Sequence, residues 1–306
     1  MKMSMLSSVE LRKGRLHIRS ILVPTDFSSA SERALQVAQM LAVRYKAELH
    51  VVHVLAPEAY SLRPPEGVAT VHDIGRTRAT THFQRIRAAN NNLGIRHDEV
   101  VREGETWGEL TRSISENDID LIVVGTHGAG GLEKLVLGSV AEEIFRKAPC
   151  PVITVGPHVA PEIVGPNSFR EILAPVDFTA QSRAALPFAL MLASDTESHL
   201  TLLHVAEDPV APEPHSEAIL SEAYTKRLLE LVPEGVPHPK TRVGFGHAAD
   251  VIVDTATALG SGLIVLGVRS TGDLASHLPW AVTSQVVRKA SCPILTVRSD
   301  VRERKQ

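Results

Sequence analysis

Cysteine is scarce in this 306-residue chain, which has two. That scarcity excludes a disulfide scaffold and any cysteine-based metal cluster. Neither belongs to a CxxC pair; both precede proline, as Cys150-Pro151 and Cys292-Pro293, and are read as small buried thiols. Aromatic residues are only 4% of the chain, so a core must be assembled from Val, Ile, Leu and Ala. Charge of one sign is missing too. Lys plus Arg number 32 against 35 Asp plus Glu, for a formal charge of −3. This balance argues against a basic surface spread over the molecule, and no nucleic-acid partner is expected. Long hydrophobic runs are absent: Ala184–Ala193 is well short of the roughly 20 residues a bilayer span needs, so no membrane partner is expected. The stretch MKMSMLSSVELRKGRLHIRS has no apolar h-region and no small-residue cleavage site, and a reduced, cytoplasmic protein is the expectation.

What is present is a duplication. Arg19–Val54 aligns with Arg170–Val205 without gaps at an offset of 151. Ile21-Leu22 matches Ile172-Leu173, and Pro24, Asp26 and Phe27 match Pro175, Asp177 and Phe178. Further along, the offset becomes 142, with Gly125 matching Gly267 and Cys150-Pro151 matching Cys292-Pro293. Two domains are therefore predicted, residues 1–157 and 168–306, joined by a linker at 158–167 within a stretch that carries Pro157, Pro161 and Pro166.

Each copy alternates short β-branched runs with longer helical patterns. The first copy predicts strands at Ser20–Val23, Leu49–Val54, Asp98–Arg102, Asp120–Val124 and Val152–Val155. Helices are predicted at Ser29–Tyr45, Asp73–Asn92, Trp107–Glu116 and Ser139–Lys147. The second copy predicts strands at Glu171–Ala174, Leu200–Val205, Thr241–Val243, Leu263–Leu266 and Ile294–Val297. Continuous apolar runs such as Leu121-Ile122-Val123-Val124 suit a parallel sheet buried on both faces. Right-handed crossovers then give an α/β, doubly wound domain.

The chemistry concentrates after the fourth strand, where Gly125, Gly128, Gly138 and Ser139 form G-x2-G-x9-G-S. Glycines allow the backbone to approach a ligand closely. Gly138-Ser139 opens a helix whose free N–H groups and dipole favour a phosphate. The loop Pro24-Thr25-Asp26 would lie beside it, at the carboxyl ends of neighbouring strands, where such sheets bind ligands. The motif is not a P-loop, since no Gly-Lys-Ser/Thr follows, and it is not GxGxxG, because position 133 is Glu. His53 and His204 read as core histidines with satisfied rings, and Trp107 as a residue that either packs its helix or borders the ligand.

The run ILVPTDFS, the strand LHVVHV, the glycine motif and the closing APCPVITV resemble the universal stress protein family in its tandem two-domain form. The resemblance implies five-stranded parallel sheets of order 3-2-1-4-5 with helices on both faces. The two domains would form an intramolecular pseudo-dimer through their last strands. It also implies ATP as ligand, with Mg2+ on the phosphates. Pro24, Thr25 and Asp26 would meet adenine and ribose, with Val54 against the adenine. Gly125, Thr126, His127 and Gly128 would serve ribose and phosphate, and Gly138, Ser139 and Val140 the phosphate-binding helix start.

The second copy departs from the pattern: Ser270, Trp280 and Ala281 stand where Gly128, Gly138 and Ser139 stand in the first, and Val176 replaces Thr25. One ATP site, in the N-terminal domain, is therefore expected. The residues offer no hydrolytic machine, so slow hydrolysis at most is expected, with no catalytic residue and no protein metal site. Expected partners are ATP, unidentified proteins of a stress response, and a second copy of the chain as a homodimer. The alternative is a nucleotide-independent scaffold or interaction module. An adenylyl-transferring enzyme is disfavoured, because HxGH and SGGxDS signatures are absent.

Overall fold

The computed structural model describes residues 16–56, 65–126, 138–160, 168–207, 214–269 and 278–299. The first unit runs β1 (Ser20–Pro24), α1 (Ser29–Tyr45), β2 (Glu48–Leu55), α2 (Pro65–Asn92), β3 (His97–Glu103), α3 (Thr106–Glu116), β4 (Leu121–Gly125), α4 (Ser139–Lys147) and β5 (Val152–Val155). The second runs β6 (Glu171–Pro175), α5 (Ala180–Thr196), β7 (His199–Ala206), α6 (Pro214–Leu229), β8 (Lys240–Phe245), α7 (Ala248–Leu259), β9 (Leu263–Arg269), α8 (Leu278–Lys289) and β10 (Ile294–Ser299). The chain divides into two compact units, one holding residues 17–155 and the other holding residues from 167 onward.

Within the first unit the strand order is β3-β2-β1-β4-β5, and within the second β8-β7-β6-β9-β10. The strand pairs in both are parallel. This is the α/β doubly wound architecture that the sequence implied, built twice. In the first unit β1 is central: Leu22 pairs with His50 of β2 on one side and with Ile122 of β4 on the other. The chain winds outward to β3, returns across β1, and winds outward again through β4 and β5. With right-handed crossovers, that reversal puts α1 and α2 on one face and α3 and α4 on the other. It also opens a crevice at the carboxyl ends of β1 and β4, where the order reverses.

Local sequence accounts for the elements. Helix α1 starts at Ser28, whose side chain accepts from the Ser31 N–H, and ends at Lys46 in the left-handed region. It buries Ala34, Val37, Ala38, Leu41 and Ala42 as one helical stripe. On the α3/α4 face, Leu22, Val52, Ile122, Val124 and Val152 pack with Leu110, Ile114, Ala141 and Ile144. The largest fully buried side chains are Ile and Leu alone, in line with the shortage of aromatics. Cys150 and Cys292 are buried thiols, and burial pushes Cys292 up to about 12. Helix α2 begins at Pro65, eight residues before the predicted Asp73. Proline at the first helical position loses no hydrogen bond and arrives with φ preset; α6 likewise begins at Pro214.

Candidate functional site

Three segments meet at the carboxyl edge of the first sheet. The β1 loop leaves the sheet with the Thr25 N–H still donating to Val52 O at 2.9 Å. Its side chains then fold onto the loop itself. The Thr25 hydroxyl accepts from the Phe27 N–H at 3.0 Å and donates to Ser31 Oγ at 3.1 Å. Asp26 Oδ1 accepts from the Ser28 N–H at 3.0 Å, an Asx turn leading into α1. Pro24 is buried, while Thr25 and Asp26 are half-buried at the edge of the crevice.

The second segment is the start of the glycine motif. Gly125 ends β4, and Thr126 follows it, buried, with its N–H donating to Val155 O at 3.1 Å. A Cβ at Gly125 would stand 2.6 Å from the carbonyl carbon and oxygen of Ala30 and 2.9 Å from Ser31 N. The first glycine is thus required by the close approach of α1 to β4. Gly267 meets the same demand in the second unit, where a Cβ would lie 2.1 Å from Gln181 O. The sequence reading gave Gly125 to ligand approach; helix packing accounts for it first, and explains why Gly267 persists in the copy that has lost the rest of the motif.

The third segment is the start of α4. Gly138 N–H donates to Thr126 O at 2.7 Å, tying the end of the motif to its beginning. Gly138 is the N-cap residue, with φ −59° and ψ 148° and no side-chain cap bond. Any residue can adopt those angles, so the backbone does not require glycine there. Other helix starts receive an acceptor: Ser28 caps α1, Glu105 caps α3 through the Trp107 and Gly108 N–H groups, and Thr179 caps α5. At α7 the Glu207 carboxylate accepts from the Ala248 N–H at 3.0 Å. In α4 the Glu142 N–H bonds to Gly138 O at 2.8 Å, so the N–H groups of Ser139, Val140 and Ala141 precede the first intrahelical bond. Ser139 is exposed and Val140 half-buried.

Val54 of β2, Val140 of α4 and Trp107 of α3 all pack against the same apolar cluster under this edge. Trp107 thus packs beside the candidate site residues Val54 and Val140, with Lys147 Nζ 5.6 Å over its ring. The structure therefore brings together Pro24, Thr25, Asp26, Val54, Gly125, Thr126, Gly138, Ser139 and Val140, whereas His127 and Gly128 lie outside the described residues. Among the described residues no group of three His, Cys, Asp or Glu side chains could hold a metal ion.

His53 sits at this edge half-buried rather than in the core, with its ring satisfied as the sequence suggested, Nδ1 lying 2.7 Å from Thr25 O. Burial holds it below the ordinary histidine pKa, despite the Thr25 hydrogen bond. Residues missed by sequence reasoning are Phe27 and Ser31, which build the loop's interior. Their signal was the repeat itself, since Phe178 and Ser182 stand in the equivalent places.

In the second unit the same edge is differently equipped. Val176 brings no hydroxyl. Asp177 Oδ1 accepts from both the N–H and the hydroxyl of Thr179, at 3.0 and 2.6 Å. Burial alone would raise this carboxyl, but hydrogen bonds from Ser182 and Thr179 outweigh it and hold the pKa below the usual value. Arg227 stacks over the Phe178 ring at 4.0 Å. Trp280 and Ala281 fall in the first turn of α8, and Ser270 lies outside the described residues.

Fold and edge together define a tandem doubly wound α/β protein whose first sheet reverses its strand order between β1 and β4. The universal stress protein family matches residues 17–156 and 168–298, and the chain belongs to that family. It is 25% identical over 286 residues to a universal stress protein of Mycolicibacterium smegmatis, covering 91% of this chain and 96% of that one. It is 26% identical over 296 residues to one of Mycobacterium tuberculosis, covering 92% and 97%. The crystal structure of a universal stress protein from Archaeoglobus fulgidus superposes with a TM-score of 0.70 over 91% of this chain and 98% of that one, at 20% identity. Among the described residues no helix is long and apolar enough to cross a membrane.

Proposed function

We propose that the chain is an ATP-binding stress-response regulator with one nucleotide site, in the first unit. The start of α4 carries this reading. Gly138 adopts angles open to any residue, yet it gives α4 no side-chain cap, where α1, α3 and α5 have one. A glycine there leaves the negative charge to be supplied by something other than its own side chain, and a phosphate does so. The donors fit: the N–H groups of Ser139 and Val140 and the Ser139 hydroxyl would take the phosphates, with Gly125, Thr126, His127 and Gly128 lining ribose and phosphate. The half-buried Val54 and the Pro24-Thr25-Asp26 backbone would take adenine and ribose. Because the Thr25 hydroxyl is used within the loop, Thr25 would act through its backbone.

Mg2+ would be carried by the phosphates and water, since the described residues offer no cluster for it. Bound there, it neutralises phosphate charge. Hydrolysis also needs an oriented water and a cation against the transferred phosphoryl group. In this reading hydrolysis is slow at most, and ATP acts as a ligand that biases partner binding. A cytoplasmic location and self-association as a homodimer belong to the same reading.

Calorimetric titration of the full chain with Mg·ATP tests it. One site per chain is expected, and Gly138→Trp should abolish binding by filling the space where phosphate meets backbone. Two sites per chain would overturn the single-site reading. Unchanged affinity in the Trp variant would overturn the phosphate assignment.

A further inference from the structure

The β1 loop turns at the candidate site without glycine. Phe27 has φ +62°, in the left-handed region that non-glycine residues rarely adopt. Such a conformation persists only where its surroundings hold it. Besides the Thr25 hydroxyl, which accepts from the Phe27 N–H, the holding group is His53, which touches the loop twice. Its Nδ1 lies 2.7 Å from Thr25 O; a carbonyl only accepts, so Nδ1 carries the proton. Its ring lies 4.6 Å from the Phe27 ring. On its other sides Phe27 stacks on His82 at 4.4 Å and 11°, and meets Phe83 edge-on at 5.5 Å.

The second unit repeats the device. Phe178 also has φ +62°, His204 Nδ1 lies 2.8 Å from Val176 O, and the Phe178 and His204 rings are 4.7 Å apart. The bond survives the exchange of Thr25 for Val176 because it uses a backbone carbonyl. The two histidines thus hold equivalent loops, the first of them at the sheet edge where α4 begins on Gly138 with no side-chain cap bond.

We propose that His53 is a positioning residue for nucleotide binding, fixing through the Thr25 carbonyl the Thr25-Asp26 backbone that meets adenine and ribose. The proposal rests on the nucleotide reading given above. His53 itself touches no ligand. It sets the direction of the loop, so its contribution is to affinity through preorganisation.

The bond can be read without nucleotide. In the uniformly 15N-labelled full chain, long-range 1H–15N correlation should show His53 in the Nδ1–H tautomer, and an Nε2–H tautomer would overturn the proposal. ATP titration reads the consequence. His53→Leu should weaken binding by about tenfold, the scale of one lost hydrogen bond. His53→Asn, whose amide N–H falls where Nδ1–H does, should recover most of the affinity. His53→Gln, whose amide lies further out, should not, and this Asn/Gln contrast decides the matter if the Leu variant does not fold. His204→Leu should leave ATP affinity unchanged while lowering the melting temperature as His53→Leu does. Equal affinity for wild type and folded His53→Leu, equal weakening by Asn and Gln, or equal weakening by His204→Leu would each overturn the role. A chain with the Nδ1–H tautomer that binds no ATP would instead sink the nucleotide reading, and the positioning role with it.

Discussion

Gly125, Gly138 and Gly267 look alike in a motif, but different forces hold them in place. Gly125 and Gly267 are each wedged against the backbone of a helix start, where a Cβ would come within 2.6 Å and 2.1 Å of backbone atoms. Neither helix can retreat, because its cap and its apolar stripe are anchored in the core. Gly125→Ala and Gly267→Ala should therefore each destabilise their own unit by about 1–3 kcal/mol, the usual range for overpacking, in urea denaturation of the full chain. Wild-type stability in either variant would refute the packing account. Gly138→Ala should barely change stability, because its backbone is already extended. Sequence spacing exposed all three glycines, but it could not separate them. Spacing records where a side chain is missing, and only the surrounding atoms show what the missing side chain would strike.

Helix starts carry the next level of the argument. Helices α1, α3 and α5 end their orphan N–H groups on Ser28, Glu105 and Thr179, whereas α4 begins on Gly138 with no side-chain acceptor. Gly138→Asp would place a carboxylate at that position, and Ncap geometry suits it. It should raise the melting temperature slightly, by the equivalent of about 0.5 kcal/mol from capping and the helix dipole. The same carboxylate would occupy the donors and repel phosphate, so ATP affinity should collapse. Calorimetry and ATP titration on one sample separate the two effects, and undiminished affinity would show that the α4 start is not the phosphate site. The element pattern itself was largely legible, because β-branched runs and helical stripes have different periods. The early start of α2 was not, because Pro65 reads locally as a breaker and becomes a favourable first helical residue only once the helix behind it exists. The loop interior was also hidden: Phe27 and Ser31 act through a turn and a cap that no periodicity encodes.

On the scale of the whole molecule, duplication made the architecture legible, since the same alternation of elements appears twice and parallel sheets follow from it. It also set a histidine at the same strand position of each unit, His53 and His204, in a protein with few aromatic rings. His50, His53 and His204 are all held below the ordinary histidine pKa, chiefly by burial that disfavours the charged ring. The folded chain therefore binds fewer protons than the unfolded chain once the pH falls toward 6.5. Stability follows the difference in bound protons, so it is full above the unfolded value and declines as the pH falls through it. Asp120 acts in the opposite sense, because burial raises its carboxyl above 3.8; its contribution improves on acidification, starting from a more acidic range. Between pH 7.5 and pH 6.0 the three histidines govern, because the shifted carboxyls titrate in a more acidic range. The melting temperature should fall across that interval, with both units affected, since His50 and His53 lie in the first and His204 in the second. Replacing His204 by Asn should flatten the dependence of the second unit while leaving that of the first intact, as differential scanning calorimetry would resolve. A melting temperature that rises or stays level from pH 7.5 to pH 6.0 would mean that these rings are not buried in their neutral form.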